Sequence, residues 1–169
     1  MTTTDLRRAL LKPWRHGDHF DGRGATVDAA LDLSGCRLRG FDLSSARFAA
    51  GLDARGAEFQ GLAWFQAARF AGAVNLTGAT CRFDLCFDRV QCPTLDLTGL
   101  RMEGVLRLDG ARVDRLVLAD AVLLANLSLS RACVRQIEAT NLEVMGGLWA
   151  PEARIDPASF AHAHIEGRV

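Results

Sequence analysis

The residues able to do chemistry in this chain are few and scattered. His16-Gly17-Asp18-His19 carries types that bind transition metals, and His162 and His164 lie far away near the other terminus. Two histidines and one carboxylate in four residues read more naturally as a solvated lead-in loop than as a closed site, which needs four ligands. The five cysteines show no paired spacing. Without a 7–15-residue apolar stretch between Met1 and Asp18, nothing reads as an export signal, so a reducing, cytoplasmic setting is expected rather than a disulfide framework. Asn75-Leu76-Thr77 and Asn126-Leu127-Ser128 match the glycosylation pattern but are ordinary units of the repeat described below. No Ser/His/Asp set, paired acid–base carboxylates or phosphate-cradling glycine loop is present. The expectation is therefore no enzyme, no cofactor and no metal site.

Composition narrows the partners. The 169 residues carry 20 Lys+Arg and 20 Asp+Glu, a formal charge of zero, which favours neither direct nucleic-acid binding nor an acidic membrane surface. No run approaches the ~18 apolar residues of a membrane span.

The elements that must position any functional group follow from a repeat. Leu31-Asp32-Leu33-Ser34-Gly35 recurs as Leu52-Asp53-Ala54-Arg55-Gly56, Val74-Asn75-Leu76-Thr77-Gly78 and Leu95-Asp96-Leu97-Thr98-Gly99, with fainter copies from Leu116, Ile137 and Ala158. Inside each row the unit is about five residues, apolar at its first and third positions, which is a minimal strand followed by a corner. Four corners close a square, and successive rows stack at the ~4.8 Å spacing of paired strands. The expected fold is all-β, a right-handed quadrilateral β-helix, and every position this register turns inward from Leu31 to Ile165 is apolar. Tight corners account for the column Gly35, Gly56, Gly78, Gly99; a second column, Gly40, Gly61, Gly104, Gly146, Gly167, is assigned the same need for positive φ. Pro93, Pro151 and Pro157 fall at corners too.

Ala57-Glu58-Phe59-Gln60-Gly61, Val74-Asn75-Leu76-Thr77-Gly78 and Leu95-Asp96-Leu97-Thr98-Gly99 resemble the A-[DN]-L-x-x unit of the pentapeptide-repeat proteins, over roughly residues 20–169. The second position is often Arg here, and the rows run slightly long. The resemblance implies the quadrilateral β-helix already reached from periodicity. It also implies a function to weigh, because some members mimic duplex DNA and act on DNA gyrase or topoisomerase IV.

Six full coils (31–51, 52–73, 74–94, 95–115, 116–136, 137–157) are expected between half coils, giving a rod about 30–35 Å long. Residues 1–19 form a lead-in and cap, with Thr4 or Asp5 starting a helix through Lys12, Leu6 and Leu10 on one face, and Pro13 ending it. The cap covers unpaired strand edges. At the other end the repeat stops in mid-coil, which reads as a pairing surface or a truncation.

The outward positions divide by face. Asp32, Asp53 and Asp96, with Asn75, Val117 and Glu138, form an acidic face; Arg47, Arg69, Arg112 and Arg154, with Gln91 and Cys133, form a basic one. Cys36, Cys81 and Cys92 point inward, Cys86 and Cys133 outward. Coil 116–136 shows Val117, Val122 and Leu124 where its neighbour shows charges, and Met145 stacks over Leu124, so these four are the candidate interface. The reading is a protein–protein interaction or scaffold rod with an unidentified protein partner, and a homodimer through this patch or the C-terminal coil is its simplest form. The alternative is a DNA-mimicking modulator of gyrase or topoisomerase IV, against which the neutral charge and the arginine face both count.

Overall fold

The computed structural model describes residues 1–168. Short strands, most of two residues, stack coil upon coil in parallel register into a four-sided solenoid of about seven turns. Leu31↔Leu52↔Val74↔Leu95↔Leu116↔Ile137 lines the first face, and the second runs from Arg37–Leu38 to His164–Ile165. The third extends from His19–Asp21 to Leu148–Trp149, and the fourth carries Arg47, Arg69 and Arg112 in one row. First and fourth faces belong to one sheet, because Gln91–Asp96, Arg112–Val117 and Cys133–Glu138 run through the intervening bend as six-residue strands. Pro93 sits inside the first of these strands, exposed at the bend.

The interior is a single apolar column. From Leu31 to Leu148 the inward side chains are buried apart from Cys36, which is half-buried; Ile155, Ala163 and Ile165 are also half-buried, in the last coils. Aromatic rings fill the lower coils, with Phe48 on Phe70 at 4.3 Å and Phe65 on Phe87 at 5.0 Å. Leucines such as Leu95, Leu97, Leu106 and Leu108 replace them above.

Two of the four corners require the left-handed backbone, and they are not the two expected. The corner after the first face behaves as anticipated, with Gly35, Gly56, Gly78 and Gly99 at φ 62–65° and Asp120 and Asn141 in the later coils. The other left-handed corner follows the third face, where Gly24 and Gly110 share their column with Ser45, Ala67, Arg89, Arg131 and Glu152 at φ 54–60°. The Gly40 column, after the second face, has no positive φ. Its glycines answer to crowding instead: a Cβ on Gly104 would lie 2.4 Å from the Phe83 carbonyl carbon, and one on Gly61 would lie 2.7 Å from the Gly40 backbone. Asp84 and Asn126 reach across this corner to accept the Val105 and Gly147 amides of the next coil at 2.8 Å each.

Helix α1 spans Thr3–Leu10, and its N-cap is Thr2, two residues earlier than the earliest expected cap, because the Thr2 hydroxyl accepts the Asp5 amide at 3.1 Å. Leu6 and Leu10 are fully buried against the first coil, and Arg7 donates to the Asp32 carbonyl. After the helix the chain lies along the rod: Trp14 rests near Gly61 and 6.0 Å from Phe83, and Asp18 pairs with the buried Arg39 guanidinium. At the far end, residues expected to begin another repeat form a 3₁₀ turn instead, Pro157–Phe160, with Asp156 accepting the Ala158 amide.

Relief of backbone strain and creation of a clash should separate the two corners in a denaturant titration. Ala67→Gly is expected to stabilise by up to about 1 kcal/mol, the left-handed cost being partly offset by unfolded-chain entropy. Gly104→Ala should destabilise by about 1–3 kcal/mol.

Candidate interaction surfaces

Each outward position is a strand centre whose side chain either closes the next corner or is left to solvent. On the first face Asp32, Asp53, Asn75 and Asp96 stand in register, as expected. Each accepts the backbone N–H two residues on, from Ser34, Arg55, Thr77 and Thr98, at 2.9–3.1 Å. This is the Asx-turn bond, so the preference for Asp or Asn is corner chemistry. Asp53 is also bridged by the Arg55 guanidinium, which holds its carboxyl below the usual range; the Ser34 hydroxyl and amide do the same for Asp32. Asp21 repeats the arrangement with Arg23, whose guanidinium and amide bring its pKa down to about 2. The acidic row is half consumed by its own turns.

The expected apolar patch changes membership. Val117 is buried, at 5% exposure, beside Glu138, its partner in the ladder, to which Arg115 donates at 2.8 Å. Val122 is half-buried between Arg101 and Glu143 in the second-face row. Leu124 and Met145 are exposed, at 55% and 40%, and follow the paired residues Leu123 and Val144 at the end of the second face. Just past the corner Trp149 is 53% exposed. Leu62, Trp64 and Phe83 expose themselves along the same edge nearer the N-terminus. The edge between second and third faces therefore carries an apolar ridge in two stretches, Leu62, Trp64 and Phe83 below and Leu124, Met145 and Trp149 above, with exposed Glu103 in the coil between them. Trp64 and Trp149 occupy strand centres that the repeat register turns outward, so their exposure was legible by the rule that exposed Leu124.

The fourth face is the opposite in character. Thr26, Arg47, Arg69, Gln91, Arg112, Cys133 and Arg154 succeed one another in register. They floor a shallow groove of about 1740 Å³ walled by the corners on either side. Among the described residues, Arg47, Arg69, Arg112 and Arg154 have no acidic partner within 4 Å, whereas Arg107 and Arg135 at the walls pair with Asp88 and Asp114.

Cys86, expected to face solvent, does occupy an outward strand centre but is buried between Trp64 and Arg107 in its row, and that burial pushes its thiol up to about 11. Burial carries Cys81 and Cys92 to about 12. Cys36 is half-buried beneath Arg7, and Cys133 is exposed; all five cysteines are free thiols. Among the described residues, no group of three His, Cys, Asp or Glu is close enough to hold a metal.

A closed parallel β-solenoid with five-residue sides and a corner-closing Asp or Asn defines the class of this molecule. A family model for pentapeptide repeats (9 copies) matches residues 33–80. Over that segment the chain is similar to the pentapeptide-repeat proteins, and the same coil geometry continues past the matched residues to Trp149. No curated protein matches it.

Two outcomes follow. Asp32→Asn should leave stability at neutral pH nearly unchanged, since Asn75 already performs the bond, while Asp32→Ala, which removes it, should lower the denaturation midpoint. Because the folded-state pKa of Asp32 lies below the unfolded value of about 3.9, its charge-dependent share of stability is present above that pH and fades below it. The Asn variant should accordingly lose less stability on acidification. With a thiol reagent, native protein should label fastest at Cys133, then at Cys36, with Cys81, Cys86 and Cys92 silent until unfolding.

Proposed function

We propose that this protein is a non-catalytic binding rod, a stiff scaffold that engages an unidentified protein partner through the edge between its second and third faces. The observation carrying this reading is the apolar ridge: Leu62, Trp64, Phe83, Leu124, Met145 and Trp149 stay exposed on a surface otherwise dense in charge. Large side chains aligned on one edge of a rigid rod suit a protein contact, with aromatics supplying area at little entropic cost. A second copy of the chain is the simplest partner. The mechanism needs no cofactor: the coils hold the ridge in fixed register, and binding consists of removing it from water. No helix among the described residues is long and apolar enough to cross a membrane. Five free thiols suit a reducing cytoplasm.

Site-specific photo-cross-linking tests the edge. A photoreactive residue in place of Leu124 should give adducts, to a second copy or to another protein, in extract of the producing cells. The same residue in place of Arg101, exposed on the second face, should give none. Equal adducts at both, or none at either, contradict the reading.

The DNA-mimic alternative rests on the in-register row Asp32, Asp53, Asp96. Asn75 and Val117 interrupt that row, and Arg55 neutralises Asp53, so it falls short of a continuous line of phosphates. Titrating the protein into a gyrase supercoiling reaction, with and without a fluoroquinolone, should change nothing; inhibition or protection at low micromolar levels would reinstate mimicry.

A further inference from the structure

The groove on the fourth face holds a regularity the ladder alone does not show. Where the ladder of the six full coils lacks arginine, at Gln91 and Cys133, the corner two residues earlier supplies Arg89 and Arg131. Where the ladder has arginine, the corner carries Ser45, Ala67, Gly110 or Glu152. Each full coil thus contributes one groove arginine with no acidic partner among the described residues: Arg47, Arg69, Arg89, Arg112, Arg131 and Arg154. The acids of the groove do not answer them. Asp88 is buried and takes Arg107 and the Asp109 amide, Asp109 takes the Ser128 hydroxyl and Ser130 amide, Asp114 takes Arg135, and the fourth, Glu152, lies more than 4 Å from any groove guanidinium.

Folding does not ask for this pattern. Arg89 and Arg131 sit at φ 54° and 55°, in a column where Gly24 and Gly110 show the unstrained solution. A side chain at Gly110 would crowd Arg89, its Cβ falling 3.2 Å from the Arg89 Cγ, so the glycine there leaves room for the arginine. Like charges one coil apart, about 4.8 Å in strand spacing, repel one another. Two costs borne together on one face are the mark of a site that binds something.

We propose that this groove binds an extended acidic peptide segment of a partner protein, lying along the rod axis across the arginines. The inference rests on the reading of the rod as a protein-binding scaffold and names a second contact on it. From Arg47 to Arg154 the row spans five coil steps, about 24 Å, the length of about seven extended residues. Guanidinium forks take carboxylates in two-point contacts. Nucleic acid fits less well: the groove's phenylalanines, Phe48 and Phe70, point inward and are buried, leaving no base-stacking platform. The neutral chain also lacks the basic field that polynucleotide binding uses.

The test is fluorescence anisotropy with a fluorescein-labelled peptide of alternating glutamate and serine, about ten residues long, beside labelled oligothymidylate. Saturable peptide binding is expected, weakened by salt, together with slower alkylation of Cys133 by N-ethylmaleimide, since that thiol lies between Arg112 and Arg154 in the row. The double variant Arg69→Glu/Arg112→Glu should lose at least about tenfold in affinity, with its circular dichroism unchanged, and Arg101→Glu on the second face should lose none. No binding, equal loss in the second-face control, or no protection of Cys133 overturns the proposal. Tighter binding of oligothymidylate overturns the peptide as occupant. Cross-linking from Leu124 that persists in the double variant keeps the scaffold reading separate from this one.

Discussion

Everything in this molecule depends on coil closure: after four short sides the chain must return to its starting point, raised by one strand spacing. A side of two paired residues leaves no slack, so each corner has to turn within two or three residues while its polar backbone groups find partners. Left-handed residues at two corners, close backbone approach at a third and a smooth bend at the fourth are the four solutions adopted. The apolar column inside is a consequence, since strand centres face out and the residues flanking them can only face in.

That constraint explains how much could be read in advance. The five-residue period, the inward apolar pairs and the Gly35 column are legible because each repeats with one class of side chain. The second left-handed corner was hidden because Ser45, Ala67, Arg89, Arg131 and Glu152 share a backbone conformation and no chemistry. The Gly40 column misled in the opposite way: a glycine column looks the same whether it serves dihedral freedom or lack of room, and only the neighbouring coil's position distinguishes them. Pro157 begins a 3₁₀ turn because Asp156 caps it, a local bond that competes with the repeat.

The surfaces were legible in position and less so in exposure. Register placed Val117 and Cys86 outward correctly, yet both are covered, one beside the Arg115–Glu138 bridge and the other between Trp64 and Arg107. Outward direction is a property of the strand, whereas exposure depends on what long side chains of adjacent coils do. The acidic row shows the same distinction in charge. Asp32, Asp53 and Asp96 were visible as a ladder, but their bonds to the following amides make them parts of the corner first. Against that background the fourth-face arginines stand apart, because no corner uses them.

The chain thus divides into positions the coil requires and positions it leaves free. Replacing Arg47, Arg69, Arg89, Arg112, Arg131 and Arg154 together by glutamine, and following thermal unfolding by circular dichroism, tests that division most directly. If corners and interior alone hold the rod, removing mutual repulsion leaves the melting temperature unchanged or higher. A fall of more than about 10 °C, equivalent to roughly 3–5 kcal/mol for a domain of this size, would show that the arginines belong to the fold and contradict the division.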